Sequence, residues 1–314
     1  DAVDIFMLHP EGRVSDVQRR QMTTVLDSNV YNIAVKGTFD DCQDLVKAMF
    51  NDPPFRSRHT LSAVNSINWA RIVAQIVYYV TAAAELGAPD NEVAFSVPTG
   101  NFGNVFAGYA AKQMGVPISQ LLVASNSNDI LTRFFESGAM EMGDVYSTLS
   151  PSMDIQVSSN FERLLFELCD RDGAKVAAIM QSFRDTGRYE VAQDQLDQAL
   201  QLFNGARYDD DATSTEIKRH FEETGILIDP HSAVALAAAR EHRCDSSIPM
   251  VVIGTAHPAK FGEAVHNATG QTPELPAHLS DLMDREERCA VLPNDLAAIE
   301  AYVDDATNSH RGAA

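Results

Sequence analysis

A chain of 314 residues, 45% hydrophobic and 22% charged, can bury a large core, has an ordinary globular composition and is long enough for two domains. The net charge of −20 argues against nucleic acid, whose phosphates need a basic surface. No apolar run approaches the ~20 residues that span a bilayer, so no membrane partner is expected.

Only six of the 24 basic residues are lysine; a salt-rich cytoplasm or a high-GC genome would each account for that bias. Four widely spaced cysteines (Cys42, Cys169, Cys244, Cys289) form no C-x-x-C pair. Neither a zinc site nor a disulfide framework is expected, and reduced thiols in a cytoplasmic protein are the plain reading. The chain opens on Asp1 and is apolar almost at once, at Ile5-Phe6-Met7-Leu8, without a secretory leader, so further sequence is expected before it.

Along the chain, residues 3–8 predict a strand, 14–24 a helix and 30–35 a second strand closed by Gly37. Thr38 and Asp41 have capping-box spacing, and Cys42, Leu45, Val46, Met49 and Phe50 follow on one helical face. Asp52-Pro53-Pro54 ends that helix, and residues 55–60 read as a connector, which divides the chain into domains 1–56 and 57–314. A long helix is expected over 61–86. Strands are expected at 93–97, 121–124 and 250–253. Helices are expected at 104–114, 129–137, 161–169, 174–186, 190–203, 214–223, 232–240 and 295–306. Strands alternating with amphipathic helices give an α/β fold with mostly parallel sheets and flanking helices.

The strand at 93–97 runs into Pro98-Thr99-Gly100-Asn101-Phe102-Gly103-Asn104 and then into a helix. Two glycines let successive N–H groups converge, and a helix N-terminus adds partial positive charge. Thr99, Asn101 and Asn104 supply donors without a lysine. The loop is neither a Walker A motif nor a G-x-G-x-x-G turn, and a small phosphate is its natural guest. An ordinary strand–helix turn with Asn104 as the cap is the other reading.

The run Ser-Val-Pro-Thr-Gly-Asn-Phe-Gly-Asn resembles the cofactor-phosphate loop of threonine synthases, in the branch shared by many bacteria and fungi. Further stretches resemble the same family in its order: Gly37-Thr-Phe-Asp-Asp-Cys-Gln-Asp-Leu45, Ser62-Ala-Val-Asn-Ser-Ile-Asn-Trp-Ala-Arg71, Ser150-Pro-Ser-Met-Asp-Ile-Gln-Val-Ser-Ser-Asn-Phe-Glu-Arg163, Asp229-Pro-His231 and Thr255-Ala-His-Pro-Ala-Lys-Phe261. Beyond about Pro273 the match is less distinctive.

The resemblance implies a fold-type II, tryptophan synthase beta-like enzyme using pyridoxal 5'-phosphate (PLP). Residues 1–56 would then be the remainder of a small domain, and 57–314 the large PLP-binding domain. The family is a carbon–oxygen lyase that converts O-phospho-L-homoserine and water into L-threonine and phosphate. By the same resemblance Thr99, Gly100, Asn101, Phe102, Gly103 and Asn104 would hold the cofactor phosphate, and Thr255 would offer its hydroxyl to the pyridine nitrogen. On the expected helix over 61–86, Ser62, Asn65, Asn68, Arg71 and Gln75 share a face of amides and one guanidinium. Asn65, Ser66, Asn68 and Arg71 are the candidate contacts to an anionic substrate, and Arg163 is a weaker one.

His231 and His257 sit in His/Pro turns and read as structural. None of Lys36, Lys47, Lys112, Lys175, Lys218 and Lys260 has the Phe-Lys-Asp context of the family's cofactor-bearing lysine, which precedes the stretch beginning here. No catalytic residue is therefore assigned, and this chain alone is expected to be inactive. The alternatives are another fold-type II lyase, of the serine/threonine dehydratase kind, and a truncated paralogue without chemistry.

Overall fold

The computed structural model describes residues 3–64 and 68–312. Numbered along the chain, the strands are β1 (Ile5–Pro10), β2 (Val30–Lys36), β3 (Val93–Pro98), β4 (Ile118–Ser125), β5 (Ala139–Glu141), β6 (Arg188–Glu190), β7 (Phe203–Arg207), β8 (Met250–Val252) and β9 (Ala290–Pro293). The helices are α1 (Asp16–Thr23), α2 (Phe39–Asn51), α3 (Pro53–Arg58), α4 (Trp69–Glu85), α5 (Gly103–Gln113), α6 (Ile130–Ser137), α7 (Phe161–Leu168), α8 (Gly173–Thr186), α9 (Gln193–Leu200), α10 (Asp210–Thr224), α11 (Pro230–His242), α12 (Gly262–Thr269) and α13 (Leu296–Gly312).

The chain divides into two units. The first joins Asp1–Ala63 to Glu274–Ala314, and the second is the contiguous stretch Val64–Pro273. The last forty or so residues thus belong with the amino-terminal part, where the sequence placed 57–314 in one domain. The reason is β9, which pairs in parallel with β2 from Ile33↔Ala290 to Lys36↔Pro293 and completes the parallel sheet β1-β2-β9.

In this first unit the Thr38–Asp41 capping box forms as its spacing requires: each side chain bonds the other's backbone N–H. Asp52 then plays two parts, closing α2 and accepting the Phe55 N–H at the start of α3. The segment expected as a connector is therefore a short helix, with prolines in its first turn, where a missing N–H costs nothing. Phe55, fully buried, joins Ile33, Val35, Leu45, Ile299 and Val303 in the core of this unit.

The second unit is built on a parallel sheet of order β7-β4-β3-β8. Its strands read as near-continuous apolar runs because helices cover both faces: Val93, Phe95, Val97, Leu121, Leu122 and Val123 are completely buried. On one face lies α11, buried almost throughout, whose Ala235 carbonyl accepts the Ser96 hydroxyl at 2.7 Å. On the other, α4 to α7 pack through an aromatic cluster centred on Phe102, Phe134, Phe161 and Phe203.

The helix expected from residue 61 begins at Trp69. Asn68 stands at its N-cap in extended backbone and accepts the Ala70 N–H at 2.9 Å. An asparagine amide competes with helical hydrogen bonding in an interior and satisfies it at a start, so Asn68 opens the helix and does not lie within it. Ser62 is accordingly non-helical, and Asn65 and Ser66 lie outside the described residues. No helix among the described residues is long and apolar enough to cross a membrane. All four cysteines are free.

Candidate functional site

The carboxyl ends of β3, β4, β7 and β8 share one edge of the sheet, the edge at which α/β folds carry their ligands. β3 leaves this edge through Thr99 to Phe102 and turns into α5. The turn is made by Phe102, at φ 63°, a left-handed conformation that costs a non-glycine residue ~1–3 kcal/mol. Its ring offsets that cost: it is 1% exposed, with Phe161 at 5.0 Å and Phe203 at 5.7 Å between centroids. Phe102 therefore offers a ligand only its backbone.

The start of α5 carries no side-chain cap, and the N–H groups of Gly100 to Asn104 meet no acceptor among the described residues. Both asparagines have their acceptor ends occupied. Asn101 Oδ1 takes the Ser159 hydroxyl at 3.1 Å, and Asn104 Oδ1 takes the buried Tyr79 hydroxyl at 2.9 Å. That leaves Nδ2 of each as a donor. Burial pushes the Tyr79 phenol far above its ordinary value, so it remains a hydrogen donor to Asn104. The result is a cluster of donors at a helix N-terminus, a suitable cradle for a phosphate group. The buried Thr99 hydroxyl donates to the Val97 carbonyl at 2.7 Å. Asn104 is not the cap; it lies in the first turn of α5.

The run Ser150 to Asn160 braces this loop from outside. A Cβ on Gly100 would lie 2.9 Å from the Ser152 carbonyl oxygen and 3.1 Å from Met153 Cα, so only glycine fits. The Ser158 hydroxyl donates to the Gly100 carbonyl at 2.8 Å, and the Asn160 N–H to the Asn101 carbonyl at 3.1 Å. The brace is itself held by Asp154, which sequence reasoning passed over. Its Oδ1 accepts from Thr148 Oγ1 (2.6 Å), Asn126 Nδ2 (2.8 Å) and Asn128 Nδ2 (3.0 Å), and its Oδ2 from the Thr148 N–H (2.9 Å). Asn126 and Asn128, both buried, follow directly on β4, and polar residues just past a buried strand were the signal available.

Thr255 lies beyond β8 with its side chain exposed, three residues after Val252, as Thr99 lies three after its strand partner Ser96. The two segments therefore leave neighbouring strands at the same edge. Asn68 caps α4 and Arg71 lies in its first turn; Ile72 beside Arg71 reaches Gly103, where a Cβ would lie 3.3 Å from Ile72 Cδ1. Arg71 is exposed. Arg163 stacks on Trp69, 5.4 Å from the ring centroid, and its Nε donates to Asn160 Oδ1 at 3.0 Å.

Both histidines are held within the fold. His231, 3% exposed, has Nδ1 2.9 Å from Asp229 Oδ1, while its Nε2 accepts the Ser152 N–H at 3.3 Å. His257 Nδ1 accepts the Ala259 N–H at 3.2 Å and starts the 3-10 turn Pro258–Phe261, which carries Lys260. Among the described residues no group of His, Cys, Asp and Glu is placed to hold a metal ion.

Residues 232–303 match the family model described as "Threonine synthase, C-terminal". The threonine synthase of Pseudomonas aeruginosa is 56% identical over 304 residues, covering 96% of this chain and 65% of its own length. The enzyme of Corynebacterium glutamicum is 40% identical over 314 residues, again with 65% of its length covered. The solved structure of PLP-bound threonine synthase from Brucella melitensis superposes with a TM-score of 0.94 at 54% identity, covering 98% of this chain and 66% of that one. The yeast enzyme's structure gives 0.89 at 39% identity. The chain thus spans about 65% of the length of the curated relatives it matches.

Parallel sheets flanked by helices, with a glycine-bearing loop at the carboxyl edge, place the chain in the α/β fold of the fold-type II PLP enzymes. Within that class it is similar to threonine synthases along nearly its whole length.

Proposed function

We propose that this chain supplies the phosphate-binding part of a PLP-dependent threonine synthase, acting on O-phospho-L-homoserine. The observation that carries the reading is the loop from Gly100 to Asn104, where successive N–H groups at an uncapped helix start meet no acceptor among the described residues and the Nδ2 donors of Asn101 and Asn104 are left over. That donor set fits a phosphate monoester: it is neutral, multiple and braced from behind. Gly100 to Asn104 would hold the cofactor's phosphate. The Thr255 hydroxyl, on the adjoining strand end, would face the pyridine nitrogen. When bound, the cofactor supplies an electron sink for charge developing next to the substrate nitrogen. This chain's own residues would bind and orient. The N–H groups of residues 100–104 would neutralise one anion, while Asn68 and Arg71 at the start of α4 would meet the substrate. Asn65 and Ser66 remain candidates for the same contact. None of the six lysines is assigned the cofactor-bearing role.

The test is reductive trapping: PLP is added to the chain, the mixture is reduced with borohydride, and modified lysines are mapped by mass. The expected result is PLP binding, seen by fluorescence and competed by inorganic phosphate, with no single preferred lysine adduct. A stoichiometric adduct at Lys260, blocked by O-phospho-L-homoserine, would overturn the lysine assignment. Absence of any phosphate-competed binding would overturn the reading of the loop.

A further inference from the structure

One buried carboxylate connects the two segments of the proposed site. Asp229, 1% exposed, opens α11 and accepts four hydrogen bonds: from the His231 N–H at 2.9 Å, His231 Nδ1 at 2.9 Å, the Ser232 N–H at 3.4 Å and the Ser232 hydroxyl. Each side chain so held reaches toward a different strand end. His231, its Nδ1–H donating to Asp229, presents Nε2 as an acceptor to the Ser152 N–H at 3.3 Å, and the carbonyl of the same Ser152 is what closes on Gly100. Ser232 Oγ lies 3.7 Å from where a Gly254 Cβ would be, next to Thr255. Phe261 closes over the His231 ring at 4.8 Å between centroids.

We infer that His231 is a positioning residue for the anion loop, holding the Ser152 peptide against Gly100 and so fixing where the N–H groups of the loop converge. This rests on the reading of residues 100–104 as the phosphate site. The imidazole suits the task because it is a donor on one side and an acceptor on the other, across a fixed ring. Ser152 meets the histidine through the N–H of one peptide unit and packs against Gly100 through the carbonyl of the next, so a shift of this one residue at the ring is passed to the loop. Asp229, one link further back, sets the ring's orientation and tautomer, as carboxylates do for functional histidines elsewhere.

The experiment compares His231→Leu, which keeps bulk and loses both polar contacts, with His231→Gln, whose amide retains one donor and one acceptor. The readouts on the 314-residue chain are amide hydrogen exchange at the bonded N–H groups of the two segments (Thr99 and Asn160 at the loop, Ser152 and Met153 at the brace), affinity for PLP and inorganic phosphate, and thermal stability. Leucine is expected to accelerate exchange in both segments and weaken PLP binding at least tenfold, and glutamine to restore most of both. Should the leucine variant not fold, Ser152→Pro removes the same N–H while leaving His231 intact, and is expected to give the same loss. Unchanged loop exchange and affinity in either variant, with only the melting temperature lowered, would overturn the inference. Accelerated loop exchange in a chain whose wild type binds no phosphate would leave the positioning role standing and sink the phosphate reading.

Discussion

Two glycines separate what binds from what merely packs. At Gly100 an added methyl meets backbone, the Ser152 carbonyl at 2.9 Å, so the loop must move. Gly100→Ala is expected to weaken PLP and phosphate binding tenfold or more while changing stability little; titration by fluorescence checks it. At Gly205, in β7, the same methyl would lie 2.8 Å from Thr132 Cα, where α6 crosses the sheet. Gly205→Ala is expected to cost ~1–3 kcal/mol of unfolding free energy by overpacking, read from urea denaturation, with anion affinity retained. The glycines of the loop were legible in sequence because a strand, two glycines and a helix start follow one another there. Gly205 was not, because its constraint comes from a helix more than sixty residues earlier in the chain.

At the scale of elements, the junction of α3 and α13 responds to acid. Asp304 accepts from His59 Nε2 at 2.6 Å and from Arg58 at 3.0 Å, and these bonds, His59 first, hold its carboxyl below the usual carboxylate value. A lowered folded value means the stabilisation is complete above the unfolded value of about 3.9 and disappears as pH falls through the folded one. Asp304→Asn should therefore lower the melting temperature at neutral pH. The gap to wild type should close in the acid range, below about pH 4. Equal gaps at pH 7 and pH 3 would refute this assignment. Elements whose signals are local were read correctly: the Thr38–Asp41 box, the buried runs of β3 and β4, and the helix opened by Asp229-Pro230. Those that depend on distant pairing were not. β7 falls at the end of a helix expected over 190–203, because only its partner β4 distinguishes Phe203 onward from one more helical turn. β5 and β6, three residues each, exist only as each other's partner. The long helix failed at Asn68, whose amide oxygen caps a helix that starts only at Trp69.

The molecule as a whole carries a charge of −20. Self-repulsion of that size destabilises a compact state and is screened by salt, with a Debye length of about 10 Å at 0.1 M. The melting temperature is expected to rise by several degrees between low ionic strength and 0.5 M potassium chloride, and a flat or falling curve would contradict it. Most exposed ion pairs here, such as Lys47–Asp44 and Arg219–Glu223, weaken under the same salt, yet each contributes little enough that net repulsion decides the sign.

The return of β9 to β2 has a consequence for synthesis. Residues 64–273 form a contiguous unit whose sheet can close once β8 has been made. The sheet β1-β2-β9 cannot: β2 is translated some 250 residues before the strand that flanks it. Until then β2 presents an open edge of N–H and carbonyl groups, a template for any other extended chain nearby. High contact order in this one sheet thus makes the interval between synthesis of β2 and of β9 a slow, chaperone-sensitive one.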